Sequence, residues 1–127
     1  FKHALQLMAV AQSVGATIVI EWPKACRYWH IDRVKKALST YDLETYDFDG
    51  CMYGIKSILP KSIGVPIKQP WRIATNNPDI GLAFSKKCDG SHPRHVTCIG
   101  GDCKNVDNYS RKFADTFHRA FRESCRS

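Results

Sequence analysis

The chain has 127 residues, of which 43% are hydrophobic, and it carries a formal net charge of +7. This length predicts one domain spanning residues 1–127, because a second core would be too small to be stable. No apolar stretch reaches the roughly 20 residues that a membrane-spanning helix needs, so the sequence indicates no membrane partner. The positive charge favours anionic partners, DNA or RNA first.

The first half of the chain predicts two helices and two strands. Apolar residues recur at helical spacing over residues 2–13, and Gly15 is placed to end this helix. Residues 16–20 are mostly β-branched and apolar on both faces, which is typical of a buried central strand, usually a parallel one. A second helix is predicted over residues 30–39 and a second strand over residues 44–53.

The second half predicts a loop, a strand, two helices and an irregular segment. Prolines and glycines mark residues 54–70 as a loop, and residues 71–75 form the third strand. A short helix is expected over residues 79–86. Residues 87–108 show no periodicity and predict an irregular loop. A last helix covers residues 110–124, with phenylalanines on one face.

Alternation of helices and strands around a hydrophobic strand predicts a layered α/β domain. The expected architecture is small and three layers deep. It has a partial Rossmann-like sheet and an irregular loop rich in cysteine and histidine.

This irregular loop contains a concentration of residue types that bind metals. Zinc takes four Cys or His donors in tetrahedral geometry, and a loop of about 20 residues is unusual in a compact domain unless something orders it. We therefore predict a zinc ion, structural because four protein donors leave no open position. The predicted ligands are Cys88, His92, Cys98 and Cys103. His95 is the alternative to Cys103 as the fourth ligand.

The six cysteines also allow other interpretations. One is a secreted basic protein with three disulfides, and another is a single disulfide between Cys98 and Cys103. Clustering of half the cysteines in one segment favours metal over a disulfide framework. The chain starts with an amphipathic pattern rather than the apolar core of a secretory signal, so the predicted location is intracellular, either nuclear or cytoplasmic.

Candidate nucleic-acid contacts lie at the ends of the predicted strands. Glu21 follows the first strand, where open α/β sheets bind ligands, and is the predicted catalytic or base-contacting carboxylate. Trp22 can stack on a base, and Lys68 and Arg72 flank Trp71 where a loop meets a strand. The alternatives are a Glu21 carboxylate paired with a cation, and tryptophans that belong to the core.

An enzymatic alternative uses the carboxylates of the second strand. Asp47 and Asp49 share one strand face and, with Glu21, can hold magnesium for a nuclease or polynucleotidyl transferase. Exposed strand aspartates are the simpler account. The sequence contains no P-loop, no dinucleotide-binding glycine motif and no HExxH or GxSxG motif.

Four segments together resemble the cytosine-5 DNA methyltransferases. Residues 17–23 (Thr-Ile-Val-Ile-Glu-Trp-Pro) resemble the family's strand that ends in Glu-Asn-Val or, in phage-type proteins, Glu-Asn-Pro. Residues 48–54, with a Tyr-Gly pair, and residues 66–75, with a Pro-Gln-Arg-like loop, are similar to its next two strands. Residues 88–98 look like the Cys/His-rich tail of phage and retroelement methylase-like proteins.

The resemblance implies the C-terminal half of such an enzyme, from a mobile element or virus. Glu21 corresponds to the family's base-contacting carboxylate, whereas Trp22 replaces the usual Asn. The family's cofactor-binding glycine motif and its Pro-Cys nucleophile would lie upstream of Phe1. The implied function is a nucleic-acid-binding methylase-like domain that is not active alone. It would be a fragment of a longer protein, a half that requires a partner half, or a remnant kept for binding. The expected protein partner is such a half or a second copy of the chain, as a homo-oligomer.

Overall fold

A computed structural model describes residues 1–96 and 110–126. The helices are α1 (Lys2–Ser13), α2 (Asp32–Thr40), α3 (Pro78–Ala83) and α4 (Arg111–Ser124), with short 3₁₀ helices at Arg27–His30 and Gly50–Tyr53. The strands are β1 (Val19–Pro23), β2 (Glu44–Asp49) and β3 (Pro70–Thr75). Within these described ranges, no helix combines the length and hydropathy that crossing a bilayer demands.

The three strands form one antiparallel sheet in the order β1-β3-β2. The expectation of a central, parallel strand at residues 16–20 is therefore wrong, because β1 begins at Val19, lies at a sheet edge and runs antiparallel to β3. A Rossmann-like sheet is not confirmed. A strand whose residues are apolar on both faces indicates that other parts of the protein pack on both faces of the sheet. This is true of parallel and antiparallel strands alike, so the pattern does not determine the direction.

Helices cover both faces of this small sheet, giving three layers. Neighbouring residues of a strand point to opposite faces, so Ile73 and Ala74 of β3 enter different cores. Ile73 packs with Phe48, Phe84 and Phe113, on the side of α3 and α4. Ala74 packs with residues on the other side, from α1, α2 and the first 3₁₀ helix: Met8, Trp29 and Ala37.

The start of α4 is attached to the second 3₁₀ helix by its capping residue. The Ser110 hydroxyl accepts a hydrogen bond from the backbone N–H of Phe113 at 3.0 Å, as expected for an N-cap. The same hydroxyl donates to the backbone carbonyl of Tyr53. Both hydrogen-bond partners of Ser110 are buried residues: Tyr53 is 2% exposed and Phe113 is 8% exposed. The 3₁₀ helix that carries Cys51 is thereby held in place against the core.

Candidate metal centre

Four side chains with metal-binding atoms converge beside the end of β2. Cys51 lies in the 3₁₀ helix Gly50–Tyr53, and Cys88, His92 and His95 lie in the segment that follows α3. The four ligand atoms all lie within 4.8 Å of one another. Sγ of Cys88 is 3.7 Å from Nδ1 of His92 and 3.5 Å from Nε2 of His95.

These separations suit zinc. Tetrahedral bonds of about 2.0–2.3 Å place neighbouring donor atoms roughly 3.3–3.8 Å apart, and the two measured Cys88 distances fall in that range. Two thiols and two imidazoles are also a donor set that structural zinc commonly takes. The residues present therefore fit the predicted ion.

Hydrogen bonds hold the ligand segment at both ends, to Asp49 of β2 at one end and to the loop before β3 at the other. The Asp49 N–H donates to the Lys86 carbonyl at 3.0 Å, and the Cys88 N–H donates to Oδ2 of Asp49 at 2.7 Å. Further along, the Val96 N–H donates to the Pro66 carbonyl at 3.1 Å. Asp49 is only 7% exposed, so the hydrogen bond from Cys88 gives a partner to a carboxyl group that is buried from water.

A tight turn returns the chain from Cys88 toward His92. Oδ1 of Asp89 accepts a hydrogen bond from the Ser91 N–H at 2.9 Å, which is the Asx-turn pattern. Gly90 between them has φ +78°, a left-handed conformation that other residues adopt at a cost. The turn brings His92 back toward Cys88, and its ring centre lies 5.1 Å from that of His95.

Burial controls the protonation of the least accessible ligand. Cys51 is 5% exposed, and burial, with contributions from Cys88 and Asp49, raises the pKa of its thiol to about 12. Without a cation the thiol therefore keeps its proton at neutral pH. A bound metal ion would replace that proton, because the thiolate is the form that ligates.

The cluster agrees in part with the ligand set expected from the sequence. Cys88 and His92 belong to it, and His95, the alternative fourth ligand, is present. Cys98 and Cys103 lie outside the described residues. Cys51 was missed, because it is distant in sequence and reaches the site only through the pairing of Asp49 with the segment after α3.

The three-disulfide alternative is wrong. Four of the six cysteines are free thiols: Cys26, Cys51, Cys88 and Cys125. The remaining two can form at most one disulfide between themselves. A disulfide framework therefore does not hold this domain together.

Glu21 lies elsewhere than expected. It is the middle residue of β1 rather than a residue beyond the strand's end. It pairs with Ile73 and lines a cavity of about 380 Å³ between the sheet and α4, together with Phe113 and His118. The cavity is on the opposite face of the sheet from Asp47, because Asp47 pairs with Arg72, the neighbour of Ile73.

The carboxylates of the nuclease alternative do not converge. Asp47 accepts hydrogen bonds from Nε of Arg72 at 2.7 Å and Nη2 at 3.2 Å, and Lys24 lies 3.5 Å away. The hydrogen bond from Arg72 holds the pKa of Asp47 below its ordinary value. Asp49 caps the Cys88 backbone, and Glu21 faces the other side of the sheet. The expected three-carboxylate magnesium site is therefore not formed.

The four predicted nucleic-acid contacts differ in accessibility. Trp71 is 4% exposed, so its ring belongs to the core and cannot stack on a base. Arg72 is held by Asp47 and lies 5.8 Å over the ring of Trp29. Lys68 is exposed, and Trp22 is half-buried.

No protein-family model, curated protein or solved structure matches the chain. The methyltransferase resemblance of residues 17–98 thus stays a prediction. The four-donor cluster is the feature of the described residues whose chemistry is most specific.

Proposed function

We propose that the chain is a zinc-stabilised nucleic-acid-binding domain. The observation that carries the proposal is the convergence of two thiols and two imidazoles within 4.8 Å at the end of β2. Such a set binds zinc in a closed, structural site. The net charge of +7 supports an anionic partner, DNA or RNA.

The zinc would act as a cross-link between two parts of the chain that are distant in sequence. Cys51 belongs to the 3₁₀ helix that follows β2, and the other three ligands lie within residues 88–95, which form neither helix nor strand. Four protein donors fill the tetrahedron, so the ion has no open position for a substrate. Its contribution is stability and placement of the segment.

The nucleic-acid role rests on charge and on the resemblance to methyltransferases. In this proposal the chain does not methylate alone, since the resemblance covers only the half without the cofactor and nucleophile motifs. Exposed cations such as Lys68 would contact phosphates, which adds affinity without sequence preference.

The test is elemental analysis combined with native mass spectrometry of the purified chain. We expect one zinc per chain, lost in Cys51→Ser and in His95→Gln. The matched controls are Cys125→Ser and His3→Gln, which remove an exposed thiol and an exposed imidazole outside the cluster and should keep the zinc. Metal-free wild-type chain, or zinc that survives both cluster substitutions, would contradict the zinc site.

The same zinc-loaded preparation tests the partner. Binding to a labelled oligonucleotide should weaken steeply as salt rises, because phosphate contacts release counterions. Absence of binding at low salt would contradict the nucleic-acid role while leaving the zinc result unaffected.

A further inference from the structure

An aromatic pocket lies on the face of the sheet opposite α4. It has a volume of about 350 Å³, at the lower end of the roughly 300–1,000 Å³ typical of small-molecule sites. Phe1, Trp22, Tyr28 and Ile31 supply its apolar and aromatic wall, and Arg33 is its charged member. The pocket is separate from the metal-ligand cluster, none of whose residues lines it.

Its rings are arranged to receive a flat ligand. Tyr28 meets Trp22 edge-on, with ring centres 5.3 Å apart and planes at 70°. Trp22 also meets Trp29 edge-on, with ring centres 4.8 Å apart, so the exposed ring of Tyr28 is the surface that stays available to a third planar group. Tyr28 is 55% exposed and Phe1 is 36% exposed. Large aromatic side chains that pack in a core are far less exposed, so these two rings are accessible to a ligand.

The surroundings of the pocket are strongly basic. Residues 24–36 carry five Lys or Arg side chains against a single acidic residue, Asp32. All five cations are exposed: Lys24, Arg27, Arg33, Lys35 and Lys36. Lys24 also lies near Asp47, and the other four have no ion pair within the described part of the chain. An aromatic pocket inside a basic surface is complementary to a base attached to phosphates.

A second pocket continues this surface. It has a volume of about 390 Å³, lies between α1 and α2, and shares Arg33 with the first. Lys36 and Tyr41 also line it. A nucleic-acid strand that passes over Arg33 from the first pocket would thus meet a second aromatic side chain, Tyr41, and a second cation, Lys36.

We propose that the pocket of Phe1, Trp22, Tyr28, Ile31 and Arg33 binds an unpaired base of a single-stranded nucleic acid. Bases of a duplex are stacked inside and cannot enter such a pocket, whereas unpaired bases stack readily on aromatic side chains. Arg33 would contact the adjoining phosphate. This inference rests on the proposed nucleic-acid role and specifies the form of the ligand and its location.

The test compares a labelled single strand of about 12 nucleotides, within the range of known single-strand sites, with a duplex of the same length. We expect the single strand to bind more tightly. Tyr28→Ala should weaken single-strand binding about 5- to 150-fold, the loss of one stacked base, and should leave duplex binding nearly unchanged. Tyr28→Phe keeps the ring and should retain binding.

Arg33→Gln supplies a second measurement, with Arg122→Gln as its matched control. Both remove one exposed helical arginine, but Arg122 lies on α4, which packs on the opposite face of the sheet. We expect Arg33→Gln alone to reduce the slope of log affinity against log salt, by about 0.7.

The outcomes separate the pocket from the general role. Binding of both nucleic acids that is insensitive to Tyr28→Ala would overturn the pocket and leave the nucleic-acid role standing. Absence of all oligonucleotide binding would overturn both. If the chain instead self-associates and Tyr28→Ala abolishes that association, the pocket is a protein interface and the inference is wrong.

Discussion

The Asp47–Arg72 pair joins two strands by side chains as well as by backbone. Two guanidinium nitrogens of Arg72 reach the two carboxylate oxygens of Asp47, at 2.7 and 3.2 Å, which is the bidentate geometry that favours Arg over Lys. Their side chains are 25% and 22% exposed, so water screens the pair only in part. The pair also places Arg72 over Trp29.

Asp47→Asn should therefore lower the free energy of unfolding at pH 7, by about 1–2 kcal/mol. The folded-state pKa of Asp47 lies below its unfolded value of about 3.9, so this contribution is present above that value and is lost as pH falls through the folded-state pKa. Urea unfolding at several pH values checks it. The difference between wild type and variant should narrow below about pH 4.

Asp115→Asn is the matched control for this measurement. Asp115 pairs with Arg111 at 3.8 Å, and the two side chains are 62% and 95% exposed, so the pair should contribute little. If both variants lose the same free energy of unfolding, the Asp47–Arg72 ion pair adds no more stability than an exposed pair. The same conclusion follows if the difference between wild type and Asp47→Asn persists at low pH.

At the scale of elements, Asn77 joins the start of α3 to the end of α4. Its Oδ1 accepts hydrogen bonds from the N–H groups of Asp79 and Ile80, at 3.1 and 3.2 Å, and so caps α3. Its Nδ2 donates to the Ser124 hydroxyl at 2.9 Å. Asn77 is 9% exposed, so a substitution that removes its side-chain oxygen leaves the buried N–H of Ile80 without this partner.

Asn77→Ala should destabilise the domain by about 1–3 kcal/mol, because it removes the N-cap of α3 and also the hydrogen bond from Nδ2 of Asn77 to the Ser124 hydroxyl. Asn77→Asp keeps an acceptor for the two N–H groups but loses the amide donor, and should cost less. Chemical denaturation of the three proteins checks this order. If Asn77→Asp is as damaging as Asn77→Ala, the link to α4 matters more than the cap.

Local patterns predicted the elements better than their arrangement. The phenylalanine spacing and Ser110 correctly indicated α4, and the β-branched and aromatic run at residues 71–75 correctly indicated β3. The predicted direction of β1 was wrong, because hydrophobic periodicity indicates which faces of a strand are buried but not which strand it pairs with, or in which direction. The last turn of the predicted helix at residues 79–86 is also absent, since α3 ends at Ala83.

At the scale of the whole molecule, the same limit applies to the metal centre. Cys88, His92 and His95 are close in sequence, so the spacing of ligand types was enough to identify them as candidates. Cys51 stands alone within the strand predicted over residues 44–53, and it gives no local signal of a metal site; in the structure β2 ends at Asp49 and Cys51 lies in the 3₁₀ helix that follows. Its place in the cluster depends on the contact of Asp49 with the chain around Lys86 and Cys88, which is a tertiary feature.

Because the cluster connects the sheet to an irregular segment, zinc binding should be coupled to global stability. We expect zinc to raise the Tm of the chelator-treated chain by about 10 °C or more when the free ion exceeds its Kd by a thousandfold, which corresponds to about 4 kcal/mol. Cys51→Ser should abolish the shift, although its substitution lies far in sequence from the other ligands. Cys26→Ser, a cysteine outside the cluster, should leave the shift intact. A melting curve that is the same with zinc and after stringent chelation would show that the four side chains do not hold a structural ion.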